Sequence, residues 1–491
     1  MMPQDFETLA CDIVSAGRCL VEMPAGTGKT QLLVMVAGAL VRSGKRVLVL
    51  THTNAGVAAI SERCRRLGVS THDVRIATIS SWSEKVACAY PASSGMRATP
   101  TSRGDSDYFT RVVRGAGSLL GCDWFRQVVA SSYQALLVDE YQDCSKVQHV
   151  TIEKLSEVMR LVACFGDPLQ RIFDFSGEEF PSWSDVRKSF APFEGIVPYP
   201  HRWEGHNFDL GEWLTYDLRE ALVGSAFDRS GSDIRIPRFD SNVATLVSID
   251  DHTMSSRGKL ISKAYGLADF PGSSLVICPS DPPGQDVSLA KSLAKRYHLP
   301  EEIEGKYIRT KIEGYLKAKE TGSLDVWLVS LIRGCSSGAA TALDKTVCNA
   351  LSNGRPVDCY LKAKNRQPYA DLLTAIEGYV QEPSVEALGL VDVALRKSTA
   401  SLYRAEAWGE TLGVVRDFER FGGDPFELLR TRRGSTRFSC GRLRGNIVSR
   451  TLLVKGLEFT NVMVTDASDG YDPRNLYVAL TRATDRLLIV C

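Results

Sequence analysis

Short apolar runs alternate along this chain with stretches whose apolar residues recur every three to four positions. The first run, Cys19-Leu20-Val21, enters a glycine-rich turn, and Leu32, Leu33, Val36, Ala37 and Leu40 then fall on one face of a predicted helix. A second run over 46–50 leads into Thr51-His52-Thr53-Asn54 and an alanine-rich helix. A third, Ala135-Leu136-Leu137-Val138, ends in Asp139-Glu140-Tyr141-Gln142-Asp143. A fourth over 161–165 leads into Gly166-Asp167-Pro168-Leu169-Gln170, and a later run over 274–278 precedes a helix over 287–297. Strand and helix alternating in this way predict a parallel, doubly wound α/β sheet whose functional residues gather at the carboxyl ends of the strands. Between 306 and 439 the helical period dominates, with helices expected over 311–319, 338–351, 369–379, 386–395 and 402–418. The runs Pro91-Ala92-Ser93-Ser94-Gly95 and Ser102-Arg103-Gly104-Asp105-Ser106 read as loops.

The chemistry sits where strands end. Pro24-Ala25-Gly26-Thr27-Gly28-Lys29-Thr30-Gln31 follows a strand and opens a helix, the arrangement of a phosphate-binding loop, although Met23 stands where the full pattern has glycine. Gly26 and Gly28 let backbone N–H groups close around phosphate oxygens at a helix N-terminus. Lys29 is placed to reach the β/γ-phosphates and the Thr30 hydroxyl to ligate Mg²⁺. Asp139 is placed to hold the same cation, and Glu140 to polarise an attacking water. Phe173 and Phe175 follow Gln170 closely; they read either as core or as a platform for stacked bases.

Composition adds exclusions. The 491 residues are 44% hydrophobic and 24% charged, which is ordinary globular usage, and the net charge of +1 gives no global attraction to nucleic acid. A DNA surface must therefore be local. Arg430, Arg432, Arg433, Arg437, Arg442 and Arg444 form an acid-free stretch over 430–446 that reads either as a solvated face or as a phosphate contact. No run is apolar enough for a membrane span, and MMPQDFETLA has neither a basic nor a long apolar region, so a cytoplasmic protein with reduced cysteines is expected.

Taken in order, PAGTGKT, LTHTNAGVAA, TISSW, VDEYQD, FGDPLQRIFDFSG, YPHRW, SRTLLVKGLEF and LYVALTRATDRLLIV resemble the motifs of superfamily-1 helicases of the UvrD/Rep type. The resemblance covers about 18–82, 133–203 and 446–490. It implies two RecA-like P-loop motor domains. The first would span 1–200 with a small insert near 86–130, and the second 201–305 and 440–491, with a helical inserted domain over 306–439. It implies ATP and Mg²⁺ as cofactors and DNA as partner, with 3′→5′ polarity. Gln170 would sense the γ-phosphate, and Arg202 and Arg482 would reach it from the second motor domain. His201, at the position of the family's adenine-stacking tyrosine, Gly456 and Glu458 would complete the nucleotide site, Glu458 on the ribose. His52, Thr53, Asn54, Ser80, Trp82, Phe173 and Phe175 occupy positions that contact single-stranded DNA. Gln4 is the one candidate for an adenine-reading glutamine, at a spacing several residues too long.

The short chain and the run KGLEFTNVMVTDASD, closely followed by NLYVALTRATDRLLIV, also resemble the helicase-like subunit of the Gabija anti-phage defence system. That likeness implies a separate nuclease partner of the ATPase-plus-Toprim kind. The sequence ends nine residues after Arg482, so cleavage is expected from a partner chain. Against this stands an autonomous repair or replication helicase, for which the full set of motor motifs speaks.

Overall fold

The computed structural model describes residues 4–96, 107–172, 179–227, 236–248, 254–301, 305–357, 360, 366–439, 445–468 and 470–491. The chain divides into two compact units, 1–244 with 471–485 and 245–470 with 486–491.

In the first unit β1 (Arg18–Glu22), β2 (Val47–Thr51), β3 (Val74–Thr78), β4 (Ala135–Val138) and β5 (Leu161–Gly166) form one sheet in the order β1-β5-β4-β2-β3, every neighbour parallel. A sheet covered on both faces needs strands apolar on both sides, and β2, β4 and β5 are buried throughout. Alternate residues serve the two cores. Leu48, Leu50, Leu136 and Val138 pack with Phe125 and Phe190, while Val47, Val49, Ala135 and Leu137 pack with Leu32, Val36 and Leu40 of the helix Lys29–Arg42. That packing fixes the glycine loop at the carboxyl end of β1, beside the ends of β4 and β5.

The second unit carries β6 (Thr245–Val247), β7 (Ser274–Cys278), the two-residue strands β8 (Ser336–Ser337) and β9 (Ser401–Leu402), then β10 (Ile447–Arg450), β11 (Phe459–Val464) and the part of β12 (Ala483–Val490) from Arg486 on. Its main sheet runs β10-β7-β11-β12-β6, with the pairs β10–β7, β11–β7 and β12–β6 parallel. Helices Lys306–Thr321, Leu324–Cys335, Lys345–Ser352, Ala370–Gln381, Val385–Lys397 and Ala405–Phe421 share one core around Trp408, Leu328 and Leu372.

The partition differs from the sequence boundaries at 201–244 and 471–485, which cluster with the first unit. Trp203 Nε1 donates to Ala483 O at 2.7 Å, and Arg202 N donates to Gly26 O at 3.0 Å. The fully buried Trp203 indole thus pins both segments to the glycine loop.

Where it is described, the arginine-rich stretch pairs with acids, with Arg430 exposed, Arg432 partly exposed and Arg433 buried. Arg430 pairs with Glu427 and Arg432 with Asp417, while the buried Arg433 donates to Glu410 at 2.8 Å. Arg442 and Arg444 lie outside the described residues.

Candidate functional site

The glycine loop is shaped by its own side chains. Gly26 and Gly28 adopt φ of 74° and 92°, a region where residues with a Cβ are strained. Gly26 has no room either, since a Cβ there would lie 2.5 Å from Trp203 Cζ3 and 3.0 Å from Arg202 Cβ. Thr27 Oγ1 donates to Pro24 O at 2.8 Å, and Lys29 Nζ donates to Met23 O at 3.0 Å and Pro24 O at 3.3 Å. The buried ammonium is thereby coiled inside the loop that phosphates would enter. A prediction follows for Gly26→Ala. Gly44, with φ 72° and open space, isolates the backbone strain, roughly 1–2 kcal/mol on substitution by alanine. Gly26→Ala is expected to cost a further 1–3 kcal/mol or so for the clash with Trp203. Urea unfolding of the two variants measures the difference.

Thr30 Oγ1 donates to Asp139 Oδ2 at 3.3 Å, so the hydroxyl and the carboxylate expected to hold Mg²⁺ face each other across the sheet end. Burial, and then the neighbouring Glu140 charge, push the Asp139 carboxyl upward, against the pull of Lys29 and the bonds from Glu140 N and Thr30. A buried acid of this kind beside a phosphate loop suits a divalent cation, which restores the favourable charge balance. One carboxylate, one hydroxyl and substrate phosphates are the customary donors for Mg²⁺. No cluster of three or more His, Cys, Asp or Glu side chains suited to a metal occurs among the described residues.

Glu140 has φ 53° and ψ 45°, one of two non-glycine residues among those described with positive φ. Strain of this kind is held in place by surroundings that over-determine it. Here Gln142 does the holding. Its Nε2 donates to Glu140 Oε2, and its Oε1 accepts from Asp167 N at 3.0 Å. Gln170 Nε2 in turn donates to Asp167 Oδ2 at 2.9 Å, so β4 and β5 are knit together at the site. Burial alone would raise the Asp167 carboxyl, yet Arg219, Lys29 and the bonds from Gln170 and Arg219 hold it below the ordinary range.

Arg202 donates to Thr481 O at 2.6 Å; Arg482, 1% exposed, donates from Nε to Val478 O at 2.8 Å. Both guanidinium groups therefore lie at the carboxyl end of the helix Pro473–Leu480, within the first unit. His201 lies over the loop: its ring is edge-on to Phe6 at 5.1 Å and close to Gly28, and its buried Nε2 has no hydrogen-bond partner. Gln4 is engaged by backbone at both polar atoms, donating to Gly195 O and accepting from Val197 N.

Gly456 and Glu458 precede β11 in the second unit. Thr53 caps the helix Asn54–Arg66 through Gly56 N, with Asn54 exposed on its first turn. His52 Nε2 is 3.4 Å from Cys144 Sγ. Ser80 is half-buried on the helix Ile79–Ala89. Trp82, expected to touch DNA, is 5% exposed and packs in the core with Leu50, Leu120 and Phe125; its ring is a core residue because the helix turns it onto the sheet. Phe173 and Phe175 lie outside the described residues. Gln142, Asp167, Arg219, Trp203 and Tyr477 belong to the site although sequence reasoning gave none of them a role. Gln142 lies in VDEYQD, Asp167 in FGDPLQRIFDFSG, Trp203 in YPHRW and Tyr477 in LYVALTRATDRLLIV, whereas Arg219 lies in none of these motifs.

Residues 4–110 and 101–191 match the family model of the UvrD/REP helicase N-terminal domain. This stretch holds the glycine loop, Asp139, Glu140 and Gln170, and its parallel α/β sheet fits a RecA-like motor. No curated protein matches the chain. No described helix is long and apolar enough to cross a membrane.

Proposed function

We propose that this chain is a DNA-stimulated ATPase and helicase motor of the UvrD type. The observation that carries the reading is the convergence of Lys29, Thr30, Asp139, Glu140 and Gln170 at adjoining ends of β1, β4 and β5. Loop amides over 26–30 and Lys29 hold the ATP phosphates, with Thr30 and Asp139 as the Mg²⁺ ligands. Bound Mg²⁺ supplies charge neutralisation at the phosphate oxygens. Glu140 orients and deprotonates the attacking water. Arg202 and Arg482 turn toward the phosphoryl oxygens, whose spread charge suits guanidinium forks. His201 stacks on the base. His52, Thr53, Asn54 and Ser80 face single-stranded DNA from the ends of β2 and β3, with 3′→5′ movement. The measurement is ATP turnover by the purified chain with and without oligo-dT. Stimulation by the single strand is expected, and turnover indifferent to every DNA form overturns the coupling.

The likeness to the Gabija helicase subunit carries a finer reading: a DNA-sensing subunit that works with a separate nuclease in anti-phage defence. On that reading the chain, co-expressed with its neighbouring gene, co-elutes with a nuclease in size exclusion, and DNA ends stimulate its ATPase. A chain that elutes alone and unwinds duplex efficiently is instead an autonomous helicase.

A further inference from the structure

One arginine reaches the site from a helix that carries none of the motifs. Arg219 lies on the helix Asp217–Phe227, its side chain 18% exposed. Its Nη1 donates to Asp167 Oδ1 at 2.7 Å and to Tyr477 Oη at 3.4 Å, and the guanidinium carbon is 5.7 Å from the Tyr477 ring centroid. Each partner leads directly to nucleotide machinery. Asp167 accepts from Gln170 Nε2 at 2.9 Å through its other oxygen, and from Leu169 N at 3.2 Å. Tyr477 Oη accepts from Ala25 N, in the glycine loop, at 3.1 Å.

The chemistry of this chain of bonds is directional. An ionised carboxylate only accepts, so the side of the Gln170 amide facing Asp167 must be its NH₂, and the carbonyl must point elsewhere. The orientation lasts only while Asp167 stays ionised, and Asp167 is fully buried. Arg219 is the cation bonded to it. Without that charge the carboxyl would protonate or turn toward other donors, and either face of the amide could then meet it. A buried ion pair of this kind contributes little net stability compared with a well-packed apolar pair. What it does define is geometry.

Resting on the ATPase reading above, we propose that Arg219 is a positioning residue for hydrolysis: through Asp167 it fixes the orientation of the Gln170 amide. It acts without touching the nucleotide.

The test is steady-state ATP hydrolysis by the full chain with oligo-dT, comparing wild type, Arg219→Ala, Gln170→Ala and the double variant. Arg219→Ala is expected to lower kcat by about 100-fold, the scale of a misplaced catalytic group, with little change in KM for ATP. Because Arg219 acts through Gln170, the double variant should be about as slow as the slower single one. Arg219→Lys, which keeps one donor to Asp167, should recover part of the loss. Losses that multiply in the double variant, or wild-type kcat in Arg219→Ala, overturn the proposal. If Arg219→Ala does not unfold cooperatively, Asp167→Asn takes its place: it removes the charge at constant volume and frees the amide orientation. Normal kcat in that variant also overturns the proposal. A wild-type chain that hydrolyses no ATP, like Lys29→Ala, fails the ATPase reading itself; an active wild type with active Arg219 variants fails this proposal alone.

Discussion

Lys29→Ala is expected to reduce ATP hydrolysis by about a thousandfold or more, the scale reached when a principal electrostatic contact to the reacting group is removed. The ammonium is the cation of the glycine loop itself, and its position decides what its loss does. Nζ donates to Met23 O and Pro24 O, so the side chain is folded back on the loop and must exchange these carbonyls for phosphate oxygens. Alanine leaves two loop carbonyls without that donor, a cost on the order of 1–3 kcal/mol. The helix Lys29–Arg42 remains packed through Leu32, Leu33, Val36 and Leu40, so cooperative unfolding survives. Lys29 also draws the Asp139 carboxyl downward, and its removal leaves that acid harder to ionise and the cation more weakly held. Turnover, nucleotide binding and urea unfolding separate these effects. A variant that hydrolyses ATP at the wild-type rate would sink the assignment of the loop.

The parts of this site legible in the sequence are those whose geometry is local. Gly26, Gly28, Lys29 and Thr30 are positioned by a strand, a turn and a helix within a few residues, and Asp139-Glu140 sit directly after an apolar strand. The network that orients them depends on chain separations of 52 positions for Arg219 with Asp167 and 258 for Arg219 with Tyr477, which no periodicity encodes. The helix Leu324–Cys335 is hard to read from its sequence because its exposed face, Val326, Ser330 and Arg333, begins on an apolar residue while Asp325 is buried, which blurs the period. The helix expected over 338–351 begins instead at Lys345, because Gly338 takes φ 96° and the Asp344 carboxylate caps Thr346 N and Val347 N. A tryptophan next to a motif reads equally well as a base contact or as core. Only the packing of Trp82 against Phe125 and Leu120 separates the two.

Glu140→Gln is expected to bind ATP with Mg²⁺ and to hydrolyse it about 100-fold more slowly or worse, the usual scale for losing a general base. The substitution changes charge while leaving shape, and the surroundings allow it to do so cleanly. Residue 140 keeps its strained φ of 53° because Gln142 grips it and is itself tied to Asp167 N. A glutamine carbonyl at 140 still accepts from Gln142 Nε2, so the loop conformation should persist. Removing the negative charge beside Asp139 also lifts the repulsion that raises its carboxyl. Asp139 then ionises more readily, and the affinity for Mg²⁺ and nucleotide should stay equal or rise while turnover falls. This opposition, tighter binding with slower hydrolysis, distinguishes loss of a base from general damage, which weakens both. Titration with a fluorescent ATP analogue alongside steady-state turnover reads it directly. Binding that weakens in parallel with kcat would show that Glu140 holds the site together instead of polarising water.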